Sequence, residues 1–212
     1  MSPPDHQRGR SASPDVLPQG ELPARQARDD IEFLRGFLRN PAQVGSVIPS
    51  SRALERRLVR SACIADARTV VELGPGTGGT TAALLQELQP SARLLAIELD
   101  PAFHEHLRQL LHDPRLFLEL GSAERLAEMA AARRMPAVDA VVSGIPFSTM
   151  PAPVCDRIAQ AIAQVLRPGG RFVAYQVRPH VARYTEPYLG TPHKAWELVN
   201  IPPVRVFTWV KA

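Results

Sequence analysis

The sequence predicts an α/β fold: a seven-stranded, mostly parallel sheet with helices on both faces, an antiparallel pair of strands at the end and a helical lid ahead of the first strand. Three observations predict it. From residue 69 onward, short apolar runs alternate with amphipathic segments, the pattern of parallel strands joined by crossover helices. The first run ends in Gly74-Pro75-Gly76-Thr77-Gly78-Gly79, four glycines in six residues where a strand turns into a helix. The last two runs are joined by Pro202-Pro203 alone, too short for a crossover, so they are predicted to pair antiparallel.

Residues 1–26, rich in Pro, Ser, Gly, Gln and Arg, are predicted to be a disordered tail. Residues 27–62 form an amphipathic helical segment in two parts. Ile31, Leu34, Phe37 and Leu38 recur at helical spacing and Phe33 widens that face; Pro41 stops the helix. Pro49-Ser50-Ser51 then caps a second helix with Leu54, Leu58 and Val59 on one side. Residues 63–212 form the α/β domain. Its strands are expected at Thr69–Leu73, Leu94–Leu99, Leu116–Leu120, Val138–Ser143, Arg171–Val177, Trp196–Ile201 and Val204–Val210. Helices are expected at Thr80–Leu88, Pro101–Leu111, Ala123–Ala132 and Val154–Leu166, the last closed by Arg167-Pro168-Gly169-Gly170. The stretch after the fifth strand reads as a loop.

With 212 residues, 45% hydrophobic and 22% charged, the chain suits one globular domain with length to spare. No run approaches the roughly 18 apolar residues of a membrane span, and no apolar signal segment opens the chain. Two cysteines, Cys63 and Cys155, make neither a disulfide framework nor a zinc site, so no metal is expected and a cytoplasmic location is the default. The net charge of +4 is concentrated: residues 31–60 carry six Arg against two Glu, and the remainder is nearly neutral. An even basic surface suited to nucleic acid is therefore not expected.

The glycine turn carries the chemistry. Glycines let the backbone reach positive φ and approach a ligand closely, and the helix that follows offers free amide donors. Gly74, Gly76 and Gly79 match the dinucleotide pattern G-x-G-x-x-G, a weak signal alone. Glu72, two residues before the first glycine, can accept from an ammonium, and Glu98 ends the second strand where a carboxylate holds ribose hydroxyls. The acid–x–Gly–x–Gly–x–Gly turn resembles the class I methyltransferase family, Rossmann-like enzymes that use S-adenosyl-L-methionine. The resemblance covers roughly residues 66–211. It implies that Glu72, Gly74, Gly76 and Gly78 hold the methionine end of the cofactor and Glu98 its ribose. Ser122 and Ala123 fall on the adenine-binding turn, where Ser122 replaces the usual Asp. Ser143 stands beside the activated methyl.

Residues 143–147 bear on the substrate. Adenine-modifying relatives place Asn or Asp there, followed by Pro and an aromatic; in this chain Gly144 replaces the amide while Ile145, Pro146 and Phe147 stay. Three stretches resemble bacterial phospholipid N-methyltransferases: Phe33–Pro41 with Gly45–Arg52, Val142–Phe147 and Asn200–Val206. This resemblance implies stepwise methylation of the ethanolamine amine of phosphatidylethanolamine towards phosphatidylcholine. An aromatic helix face flanked by Arg35 and Arg39 suits an anionic phospholipid surface, so Phe33 and Phe37 are candidate membrane contacts and reversible attachment to the inner face of the membrane is expected. The acceptor ammonium must lose a proton before it can be methylated. Tyr175, at the carboxyl edge, and His180 are candidates for that step, Tyr184 for packing its face on the growing quaternary ammonium, and Arg178 and Arg183 for the lipid phosphate. No nucleic acid or protein partner is implied. An RNA adenine methyltransferase, a methyltransferase of another small amine or aminolipid, and a non-catalytic dinucleotide module are the rival readings.

Overall fold

The computed structural model describes residues 51–212 apart from Pro136 and Ile201. The predicted tail and the helix bearing Phe33, Arg35, Phe37 and Arg39 lie outside the described residues.

The chain enters through α1 (Arg52–Ser61), whose first amides are capped as the sequence predicts: Ser51 Oγ accepts from Leu54 N at 3.2 Å. Leu54, Leu58 and Val59 are its buried face. A single 3₁₀ turn (Ile64–Asp66) leads to β1 (Thr69–Leu73). Then follow α2 (Gly79–Glu87), β2 (Arg93–Glu98), α3 (Pro101–Leu110), β3 (Leu116–Leu120), a 3₁₀ turn (Ala123–Arg125), α4 (Leu126–Ala132), β4 (Val138–Ser143), α5 (Ala152–Val165), β5 (Leu166–Gln176), α6 (His180–Leu189), β6 (His193–Glu197) and β7 (Val204–Val210).

The strands form one seven-stranded sheet in the order β3-β2-β1-β4-β5-β7-β6. β1 to β5 are parallel, and β7 pairs antiparallel with both β5 and β6. Alternate residues of each strand feed two apolar layers. Val71, Leu73, Leu95, Ile97, Val141 and Phe172 face α4, α5 and α6. Val70, Leu94, Ala140, Val142, Val173 and Val206 face α1 and α2. Because five strands run the same way, the ends of β1 to β5 meet on one edge. Backbone bonds stitch that edge: Gly74 N donates to Ile97 O, Gly121 N to Glu98 O and Gly144 N to Leu73 O, each within 3.0 Å.

The structure corrects three expectations. β6 ends at Glu197 rather than running to Ile201, so the link to β7 is the six residues 198–203. Asn200 leaves the ladder because its side chain bonds elsewhere: Oδ1 accepts from Ser51 N at 3.0 Å and Nδ2 donates to Pro202 O. β5 begins at Leu166, and the expected Arg167–Gly170 turn survives within it as a register shift opposite Val138 and Ala140. The stretch after β5 is helical, with Val181, Ala182, Thr185 and Leu189 buried at helical spacing. Pro187 in its last turns hid this helix from a reading based on pattern.

Candidate active site

The glycine turn leaves β1 with Gly74, Gly76 and Gly78 all at positive φ (+73°, +56° and +87°), backbone that an L side chain rarely adopts. A Cβ at Gly78 would stand 2.6 Å from Leu107 Cδ2, whereas Gly76 faces open space. The turn therefore lies close against α3 at one end and is open in its middle.

Glu72 is the deepest charged group on this edge. It is fully buried beneath α2, and its Oε2 finds no hydrogen-bond partner; nor does the nearby Thr81 Oγ1. Burial pushes the Glu72 pKa up to about 8, and the nearby Glu98 adds a smaller rise. An orphaned buried carboxylate oxygen beside an open glycine turn matches what an ammonium requires. Glu98, also buried, is held from both sides: Oε2 accepts from Gly76 N at 3.0 Å and Oε1 from Asp100 N at 2.9 Å. Burial raises its pKa, those backbone amides oppose the rise, and Asp100 adds to it. Asp100 in turn caps α3, its Oδ1 accepting from Ala102 N at 2.7 Å, which holds in place the Asp100 amide that donates to Glu98. This positioning role escaped the sequence reading, although Asp100-Pro101 is an ordinary helix-start signal.

On the next strand end, Ser122 caps the 3₁₀ turn: its Oγ accepts from Glu124 N and donates to Glu124 Oε2 at 3.1 Å. Glu124 is further paired to Arg157 of α5. Ala123 is buried beside it. Ser143, fully buried at the end of β4, accepts from Ile145 N.

At β4 the structure joins residues that are far apart in the chain. A Cβ on Gly144 would meet Tyr175 Oη at 2.6 Å and Gly74 O at 3.0 Å. Tyr175, half-buried at the end of β5, thus fills the corner where a side chain at 144 would project. Ile145 closes on the glycine turn, its Cγ1 3.3 Å from the Cβ position of Gly74, and its carbonyl accepts from Gln176 Nε2 at 2.6 Å. Pro146 is half-buried in the same loop. Gln176, buried and unremarked in the sequence, anchors this loop to β5.

Several candidates sit differently from expectation. Phe147, expected to face the substrate, is 1% exposed and packs in the core, its ring centroid 6.4 Å from that of Tyr184. Its carbonyl also accepts from the Cys155 thiol, whose pKa burial raises to about 11. Tyr184 lies on α6, half-buried, with the Arg183 guanidinium 5.9 Å from its ring, so those two engage each other. His180 opens α6 and is exposed, as is Arg178.

Residues 70–170 match the family model described as a methyltransferase domain. An ornithine lipid N-methyltransferase from Singulisphaera acidiphila is 30% identical over 182 residues, covering 85% of this chain and 95% of that protein. The chain is a class I S-adenosylmethionine-dependent methyltransferase. A ribosomal RNA small subunit methyltransferase A from Phenylobacterium zucineum is 35% identical over 96 residues, covering 45% of this chain but 32% of that protein. An O-methyltransferase from Bacillus cereus in complex with SAH aligns with a TM-score of 0.64 at 16% identity, over 86% of this chain and 91% of that one, a likeness of fold.

The cofactor of this methyltransferase is S-adenosylmethionine, and the carboxyl edge fits it. The orphaned Glu72 oxygen, the open positive-φ turn at Gly76 and the buried Glu98 line one side of the edge. Gly144 and Tyr175 meet on the other side of the same edge.

Proposed function

We propose that this methyltransferase acts at a membrane surface on the primary amine of an aminolipid, with the ethanolamine amine of phosphatidylethanolamine as acceptor and phosphatidylcholine as the end of the series. One observation carries the reading: the corner that would hold a base-binding amide is built from Gly144 and filled by the Tyr175 hydroxyl. A flat base loses its partner there, whereas a small aliphatic amine needs only a hydrogen-bond acceptor and room. The lipid N-methyltransferase relative, matched along nearly its whole length, supports the same class.

S-adenosylmethionine supplies a methyl group already activated on a sulfonium. Glu72 would take its ammonium, the Gly74–Gly78 amides its carboxylate end, Glu98 its ribose hydroxyls, and Ser122 with Ala123 its adenine. Ser143 and Ile145 wall the space between. The work of the chain on the acceptor is positioning and exclusion of water. Tyr175 Oη accepts a hydrogen bond from the amine and aims its lone pair. The amine enters as an ammonium, so a proton must leave before each round; His180, exposed at the start of α6, passes it to solvent. Arg178 and Arg183 serve the lipid phosphate.

Incubation with radiolabelled S-adenosylmethionine and, separately, phosphatidylethanolamine, ornithine lipid and total RNA tests the proposal. Label is expected in mono-, di- and trimethylated phosphatidylethanolamine. Label in ornithine lipid alone would replace the acceptor and keep the class; label in RNA alone would overturn both.

A further inference from the structure

The β6–β7 hairpin presents an apolar tip for which the chemistry above has no use. Trp196 is 51% exposed and Leu198 and Val199 are each 69% exposed, with Val177 at 47% on the same rim just past the end of β5. Scattered apolar side chains on a surface mean little, but four at one rim require a reason. Their place is fixed by register. Gln176 pairs with Arg205, and Arg205 pairs with Trp196, so the tip stands on the edge that carries Gly144 and Tyr175. β6 lies two strand spacings from β5, about 10 Å.

Positive charge frames this tip. Ser51 N donates to Asn200 Oδ1 at 3.0 Å, and Arg57 Nε to Glu197 Oε2 at 2.7 Å, so the start of α1 is tied to the hairpin. From that start Arg52 and Arg56, four residues apart on one helix face, are both exposed. Arg205 lies over the Trp196 ring at 4.4 Å, and Arg178 follows Val177. Residues 31–50, with Arg35 and Arg39 against Glu32, also join the described structure here, at Ser51.

We propose that the β6–β7 tip is a membrane-docking surface: Trp196, Leu198 and Val199 enter the interface of an anionic phospholipid bilayer while Arg52, Arg56 and Arg205 meet its headgroups. The proposal rests on the aminolipid reading, and the geometry serves it. A headgroup amine reaches only a short way from the bilayer, so the apolar contact must stand at the rim of the site. A tryptophan with an arginine on its face suits that depth, one part apolar and one part wet.

The chain supplies its own reporter. It has two tryptophans, and Trp209 is 1% exposed, so a change in emission on binding comes from Trp196. The full chain is titrated with vesicles of phosphatidylcholine alone or mixed with phosphatidylglycerol, with and without brominated acyl chains. On the anionic vesicles a blue shift and bromine quenching are expected, both lost in Trp196→Phe. The double variant Leu198→Asn with Val199→Asn is expected to weaken vesicle binding about tenfold or more. It should keep S-adenosylmethionine binding, which reports an intact fold, and methylation of a dispersed short-chain phosphatidylethanolamine. A Trp196 already shielded from acrylamide and unmoved by vesicles would overturn the docking surface, because the tip would then be covered by residues 31–50 or by a second copy. Quenching by brominated lipid without methylation of the short-chain lipid would leave the docking surface standing and remove the acceptor reading instead.

Discussion

Glu72 keeps a proton that most glutamates have lost. With its pKa raised by burial from 4.5 to about 8, the folded chain binds one more proton than the unfolded chain between those values. The stability this contributes is complete below the lower value and is lost as pH rises through the upper one. An ammonium ligand reverses the preference, since it favours the carboxylate. Cofactor affinity is therefore expected to climb from about pH 6 to about pH 8, by up to about tenfold per unit, with proton release below pH 8. Calorimetry in two buffers of different ionisation enthalpy measures the release directly. In Glu72→Gln both the slope and most of the affinity should vanish. At Gly144 the expectation is steric. Gly144→Asn places its Cβ against Tyr175 Oη and the Gly74 carbonyl, and the backbone oxygen cannot step aside. A loss of about 1–3 kcal/mol in urea unfolding and a large fall in activity should follow, with only partial recovery on adding Tyr175→Phe. The replacement at 144 was readable from the sequence. That Tyr175, thirty-one residues later, fills the space was not, because no local pattern pairs the ends of two strands.

Elements were legible wherever one signal dominated. The capped α1 and the apolar runs of β1, β3, β4 and β7 appear where their period and caps predict. The misreadings occur where two signals compete. In α6 a helical period competes with Pro187, and the buried face prevails because the proline falls near the end, where few helical bonds remain to be broken. In β6 an apolar run through Leu198 and Val199 suggested strand, but Asn200 is drawn to Ser51 and Pro202 and the ladder stops short. Asp139 governs how β1 and β4 begin. Its Oδ2 accepts from Arg68 N, Thr69 N and Thr69 Oγ1, and its Oδ1 from Arg167 Nε at 2.5 Å. Burial raises its pKa, but the Arg167 and backbone donors outweigh that and leave it below the ordinary range. Its contribution is thus present above that range and lost as pH falls through the depressed value. Asp139→Asn should lower stability by about 1–3 kcal/mol at neutral pH, and the gap from wild type should narrow in acid.

Across the whole molecule, charge and chemistry are segregated. The excess of Arg falls in residues 31–60, ahead of a domain that is close to neutral. If that excess serves an anionic surface, methylation on anionic vesicles should fall steeply as salt rises from about 0.05 to 0.3 M, while turnover of a dispersed short-chain aminolipid should hardly change. Equal salt sensitivity for both substrates would assign the charge elsewhere. Among the described residues no helix is long and apolar enough to cross a membrane.

The strand order divides the carboxyl edge in two. β1, β2 and β3 occupy one side of the sheet and β4, β5, β7 and β6 the other. Glu72, Gly76 and Glu98 stand where the first group meets the carboxyl edge, Gly144 and Tyr175 where β4 and β5 do; on the proposed reading the first set serves the methyl donor and the second the acceptor. The two halves meet along the single β1–β4 seam, where Gly144 bonds to Leu73 and crowds Gly74. On that reading, substitutions on the far half change which amine is accepted and leave the donor side in place, whereas a side chain at Gly144 presses on both.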